Sequence, residues 1–131
     1  MIGLDTNILV RYLTQDDAVQ AAAAAKLVDS LSPESPGFLS LVVVVELVWV
    51  LQFSYGLKKQ EIENVVDRLL RGKELVIERA EIVSQALRKF HSSRANFADC
   101  LIERCGHAAE CQYVLTFDKH AAAAGMRLLA S

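Results

Sequence analysis

Asp5, Glu46, Asp99 and Asp118 are the residues of this sequence whose type and placement could do chemistry. Asp5 closes the apolar opening Met1–Leu4, and Asp118 follows Tyr113-Val114-Leu115 by way of Thr116-Phe117. Asp99 stands three residues after Asn96, and Glu46 interrupts the apolar run Leu41–Leu51. Carboxylates that converge repel and raise one another's pKa. A hard divalent cation removes that repulsion, and oxygen donors of this kind select Mg2+, with Mn2+ as a substitute. One or two such ions can drive phosphodiester hydrolysis by acidifying a bound water, holding the phosphate and stabilising the leaving oxygen. No side-chain nucleophile with a partnered base is evident in the sequence.

Each acid also has a plainer reading. Asp5 and Asp118 can cap the helices that follow them. Asp99 forms a near capping box with Asn96 and complements the helix dipole. Glu46 is harder to place, because its helical neighbours are Val42, Val43, Trp49 and Val50, and the other faces carry Val44, Val45, Leu47 and Val48. The pattern predicts a buried carboxylate, which costs several kcal/mol unless it is paired, protonated or bound to metal. An arginine partner is the structural alternative. Trp49, among the valines, is expected in the core rather than as a surface for stacking bases.

The elements that position these residues follow from periodicity and punctuation. A strand is expected over Met1–Leu4, and Ile8, Leu9, Tyr12 and Leu13 then take helical spacing. Asp16 or Asp17 can cap a helix through Ser30, built on the strong helix formers Ala21–Ala25. Ser32–Gly37 reads as a loop and Phe38-Leu39 as a short strand, with Ser40 as the next cap. The valines of Leu41–Tyr55 favour a strand by propensity, but the length of the stretch decides for a helix ended by Gly56. A helix over Lys59–Arg71, a strand over Leu75–Ile77 and a helix over Ala80–Phe90 come next. They are followed by a helix over Asn96–Ala109 and a strand over Tyr113–Leu115. A short helix over Asp118–Ala124 and a strand over Met126–Leu129 complete the set. Strands alternate with helices and no hairpin joins any two of them. The sequence therefore predicts an α/β fold, a three-layer α/β/α sandwich around a short-stranded, mainly parallel central sheet. In such sheets the functional crevice lies beyond the carboxyl ends of the strands, where these acids fall.

Composition bounds the reading. The 131 residues suit a single domain over 1–131, and no internal repeat or linker divides them. The hydrophobic fraction of 53% and mean hydropathy of +0.26 predict a thoroughly covered sheet or an apolar patch kept for a partner. No apolar run reaches the roughly 20 residues of a bilayer crossing. No basic segment precedes Asp5, so neither a signal peptide nor a membrane is expected, and the cytoplasm is the expected location. The three cysteines, Cys100, Cys105 and Cys111, have no zinc spacing and are expected as reduced core residues. His91, His107 and His120 likewise lack ligand spacing. A net charge of −2 opposes a broad grip on nucleic acid, unless bound cations reverse the local charge around clustered acids.

Taken together, Leu4-Asp5-Thr6-Asn7-Ile8-Leu9-Val10-Arg11-Tyr12-Leu13, Val45-Glu46-Leu47, Asn96-Phe97-Ala98-Asp99-Cys100-Leu101-Ile102 and Thr116-Phe117-Asp118-Lys119 resemble the acidic motifs of PIN-domain nucleases. The likeness is strongest to the VapC-type toxins of toxin–antitoxin pairs. Any one motif is weak evidence, whereas all of them in this order span essentially the whole chain. The resemblance implies a magnesium-dependent endoribonuclease acting on structured cellular RNA, a homodimer, and a cognate antitoxin that silences it by entering the active-site groove. It makes Asp5, Glu46, Asp99 and Asp118 metal ligands, with Thr6, Asn7, Asn96 and Thr116 supporting them. Many relatives carry aspartate where this chain has Asn96, which lowers the local negative charge and bears on a second metal ion. Arg11, Arg94 and Lys119 are the candidates for phosphate contacts, although each also reads as solvated surface charge.

Three other readings compete. An aspartyl-phosphate phosphatase expects a second aspartate where Asn7 stands and leaves Glu46 unexplained. A response-regulator receiver expects a pair of acids directly after the first strand, where Asp5 stands alone. A non-catalytic RNA- or protein-binding module gains nothing from clustered carboxylates.

Overall fold

The computed structural model describes residues 1–130. Its elements run β1 (Ile2–Gly3), α1 (Thr6–Thr14), α2 (Ala18–Ser30), β2 (Gly37–Leu39), α3 (Leu41–Phe53), α4 (Lys59–Arg71), β3 (Leu75–Ile77), α5 (Ala80–Ser92), α6 (Phe97–Ala108), β4 (Leu115–Thr116), α7 (Lys119–Ala122) and β5 (Arg127–Leu128). All strand pairing between these elements is parallel, as the alternating pattern predicts. The architecture is α/β. The chain forms two compact units, which divide between Glu78 and Arg79.

In the first unit, β1, β2 and β3 form a parallel sheet with β2 in the middle. Ile2 pairs with Gly37, which in turn pairs with Leu75. Gly37 is close to Leu4 and Leu31, and a Cβ there would meet Leu4 Cδ1 at 2.9 Å. The starts of α1, α2 and α3 are capped by side chains that the sequence offers. Asp5 accepts from the Thr6 N–H, Asp17 from Gln20 and Ser40 from Val43. Asp17 is thus the cap, while Asp16 pairs with Arg11 at 3.0 Å. Leu9, Val10, Leu39, Val44, Leu47, Val48, Leu51, Ile62 and Val66 form the buried core.

The helix over α3 settles the strand-versus-helix ambiguity of the valines, yet it is not covered on all sides. Val42, Trp49 and Phe53 are 75%, 58% and 71% exposed, and Glu46 lies on the same exposed face. Two expectations are corrected here: Glu46 is not buried, and Trp49 is not core. An apolar residue pattern reports what a face is made of, not whether something covers it.

In the second unit, α5 packs on α6 through Phe90 and Phe97, whose rings meet edge to face at 5.9 Å. Asn96 caps α6 by accepting from the Asp99 N–H. The strands β4 and β5 pair with each other, Leu115 opposite Arg127. The expected strand over Tyr113–Leu115 begins later, because pairing starts where Val114 accepts the Arg127 N–H. Cys100 is buried, but Cys111 is exposed in the turn after α6, contrary to the expectation that all the cysteines are core.

Glu103 on α6 holds Lys89 of α5 at 2.8 Å and also Arg104 at 2.6 Å. Its hydrogen bonds from Arg104, then those from Lys89, bring its pKa down to about 2. A carboxyl whose folded pKa lies below its unfolded value stabilises the fold above the unfolded pKa, near 4.5 here. That contribution is lost as pH falls from there toward about 2. Glu103→Gln is expected to cost about 1–3 kcal/mol at neutral pH. Chemical denaturation of both proteins across this acid range checks it, with the gap closing toward pH 2.

Candidate active site

Asp5 and Asp118 follow strands β1 and β4, the positions that a parallel sheet reserves for function, whereas Glu46 lies within α3 and Asp99 in the first turn of α6. In the first unit a single buried threonine links two of them. Thr6 donates its backbone N–H to Asp5 Oδ1 at 2.8 Å and its hydroxyl to Glu46 Oε1. Thr6 itself is 3% exposed, so this bridge is sheltered while both carboxylates face solvent. The sequence places Asp5 and Glu46 forty-one residues apart, and the fold joins them through one side chain. The partner of Glu46 is therefore a hydroxyl, not an arginine.

Asp5 reads as a helix cap, and it is one. The cap uses one carboxylate oxygen and leaves Oδ2 outside that bond. Asp118 behaves alike: Oδ1 accepts from the His120 N–H at 2.8 Å, and Thr116 Oγ1 accepts the N–H of Asp118 at 3.0 Å. The structural and chemical readings of these acids are thus compatible.

Asp99 is different. Its Oδ2 is buried without a hydrogen-bond partner. Burial raises its pKa, the negative charge of Asp118 raises it further, and His120 works in the opposite direction. An unpartnered buried carboxylate oxygen beside a second carboxylate costs stability in the protein alone. It is also what a hard cation requires as a ligand, so Asp99 and Asp118 fit a divalent ion chemically. Within neither unit do three or more His, Cys, Asp or Glu groups among the described residues form a metal-binding cluster.

The remaining candidates are less uniform. Asn7 is exposed on the first turn of α1, and Asn96 spends its amide oxygen on the α6 cap. Arg94 and Lys119 are exposed. Arg11 is already engaged, by Asp16 through Nη1 at 3.0 Å and by Gln20 through Nε at 2.7 Å. Sequence reasoning set His120 aside for want of ligand spacing. Its place two residues after Asp118 was the signal that puts it beside the acids.

Residues 2–125 match the PIN domain family. The chain belongs to that family. A VapC ribonuclease of Aquifex aeolicus (strain VF5) is 24% identical over 99 residues, covering 75% of this chain and 73% of the relative. Among solved structures, VapC20 of Mycobacterium tuberculosis, described as a sarcin-ricin loop cleaving toxin, is 20% identical. It covers 97% of each chain with a TM-score of 0.47.

A raised folded pKa means that Asp99 costs stability above its unfolded pKa of about 3.8, and that the cost disappears as pH falls below that value. In metal-free buffer Asp99→Asn is expected to raise the melting temperature by a few degrees at neutral pH. Differential scanning calorimetry in EDTA checks this, with the advantage shrinking in acid.

Proposed function

We propose that this PIN-domain chain is a magnesium-dependent endoribonuclease, the toxin of a type II toxin–antitoxin pair, with residues 1–131 forming one nuclease domain. The observation that carries the proposal is the orphaned, buried Oδ2 of Asp99 beside Asp118. Evolution rarely leaves such a group without a use, and a cation is the use its chemistry favours. The family match runs through all of Asp5, Glu46, Asp99 and Asp118, and the Aquifex relative is named a ribonuclease.

On this reading the same four carboxylates are the ligands of Mg2+, which Mn2+ replaces. The ion, when bound, supplies acidification of water and charge neutralisation at the phosphodiester. The protein's own part is orientation. Thr6 fixes Asp5 and Glu46 together, and Thr116 fixes the backbone of Asp118. His120 places a partial positive influence beside Asp99. Arg94 and Lys119 are proposed to meet substrate phosphates, since both are exposed and Arg11 is neutralised by Asp16.

The partner proposals are a homodimer and a cognate antitoxin, acting in the cytoplasm. The exposed stripe of Val42, Trp49 and Phe53 on α3 supports a protein-covered face, because contiguous exposed apolar side chains mark interaction sites. Among the described residues no helix is long and apolar enough to cross a membrane.

Purified protein is expected to cleave RNA with Mg2+ or Mn2+ and to stop in EDTA. Asp5→Asn and Asp99→Asn should each lose about 100-fold or more in rate, and the double variant little beyond that, because ligands of one centre act as a unit. Wild-type cleavage that persists through chelation overturns the mechanism. Separately, Mg2+ should raise the wild-type melting temperature by linkage, with about 2.7 kcal/mol gained at 100 times its Kd. Asp99→Asn should abolish that rise.

A further inference from the structure

The helices α1 and α2 enclose an open groove of about 520 Å³. One wall is Asn7, Ile8 and Arg11 of α1, and the other is a stripe of α2 that includes Gln20, Ala23 and Leu27. The alanine run is more than helix former, because small side chains at this stripe leave the space open. The groove starts at Asn7, two residues beyond Asp5.

Its chemistry is specific. Arg11 lends little net charge, since Asp16 pairs with Nη1 at 3.0 Å and the same carboxylate accepts from Tyr55 at 2.6 Å. The Gln20 side-chain oxygen accepts from Arg11 Nε, which fixes the amide and leaves its NH2 as the donor to offer. The lining therefore combines apolar walls with amide groups and a compensated guanidinium. A phosphate would meet a neutralised cation there. A flat heteroaromatic ring with hydrogen-bonding edges suits it better.

We propose that this groove is a nucleobase subsite, holding the base of the nucleotide next to the bond that is cut. The proposal rests on the ribonuclease reading for its substrate and adds where a base sits and which residues read it. Ile8, Ala23 and Leu27 contact the ring, while Asn7 and Gln20 meet its edge. Gln20 is the positioning and selecting residue on α2, held in place by Arg11 rather than by the substrate.

The test uses short oligoribonucleotides with one cut site, each carrying a different base at the adjoining nucleotide, plus one that is abasic there. Two variants probe the groove without touching the carboxylates. Ala23→Leu fills it at an exposed helix position where leucine is a good helix former. Gln20→Glu keeps the oxygen that accepts from Arg11 and removes the NH2 donor. Thermal melting verifies that both are folded. Cleavage is read with Mg2+, and binding of the same fluorescently labelled oligonucleotides is read in EDTA.

Wild type should favour base-bearing over abasic substrate by about tenfold in both readouts. Ala23→Leu should erase that preference while cutting the abasic substrate at the wild-type rate. Gln20→Glu should reorder the preference among bases. Metal-dependent cleavage with identical base preference in wild type and Ala23→Leu overturns the subsite and leaves the nuclease reading intact. Base-dependent binding that Ala23→Leu abolishes, with no cleavage by wild type, supports the subsite and overturns the nuclease reading. Equal binding of abasic and base-bearing RNA by wild type overturns the subsite whatever the cleavage result, and leaves the groove to a protein partner.

Discussion

The first turn of a helix carries N–H groups that have no partner within the helix, and side chains meet that need at the joints from β1 to α1, β2 to α3 and β4 to α7. In this chain the side chains that meet it include the carboxylates of Asp5 and Asp118, together with Ser40 and Asn96. A serine or asparagine would serve a helix equally well. A carboxylate does something further, since one oxygen satisfies the cap and the other keeps its charge at the carboxyl end of a strand. The joint that starts the helix thus also fixes an ionised group to within the tolerance of a backbone hydrogen bond. Thr6 extends the same economy of parts to Glu46, with one buried residue orienting acids from two elements.

Asp99 stands apart because its side chain gives the fold little beyond a negative charge in the first turn of α6. Its N–H completes the Asn96 cap, while its side-chain Oδ2 is buried and unpartnered beside a like charge. Stability alone would select a neutral side chain there. Glu103, one helical turn further on α6, shows the contrasting case. It is no more exposed than a core-flanking residue, yet two cations hold it and its pKa falls rather than rises. The same helix therefore carries one carboxylate that the protein stabilises in its charged form and one that it does not. That asymmetry sets Asp99 apart from its neighbour on the same helix.

The order of elements was legible because it follows from local causes: capping residues, glycine stops and apolar periodicity. Asp17, Ser40 and Asn96 stand where the caps form, and Leu75–Ile77 is a strand over its expected span. Strand ends at Tyr113 and Met126 were not legible, because pairing with another strand decides them and a sequence window does not contain the partner. The types of the acidic residues and their order were legible as a family pattern. Their surroundings were not. The valines around Glu46 imply an interior position only if each marks a covered face, whereas Val42, Trp49 and Phe53 show that α3 keeps an apolar face toward solvent. The role of Arg11 was obscured for a related reason, since its ion pair depends on Asp16 and Tyr55, whose approach is a tertiary event.

These corrections bear on how an acidic protein engages an acidic polymer. With a net charge of −2, the chain has no broad field to draw in RNA, and one of its candidate cations is neutralised at the surface. On the proposed reading, affinity would come from short-range terms: cations held by carboxylates, local phosphate contacts from Arg94 and Lys119, and contacts to bases, which carry no charge. The first term needs ligands that are costly without an ion, as Asp99 is. The last would need a cleft of little net charge near Asp5, as the proposed groove beginning at Asn7 offers. A nuclease built this way would depend weakly on monovalent salt and strongly on the divalent ion. A basic nuclease gripping phosphates along its surface would show the reverse, since each phosphate contact adds to the salt slope.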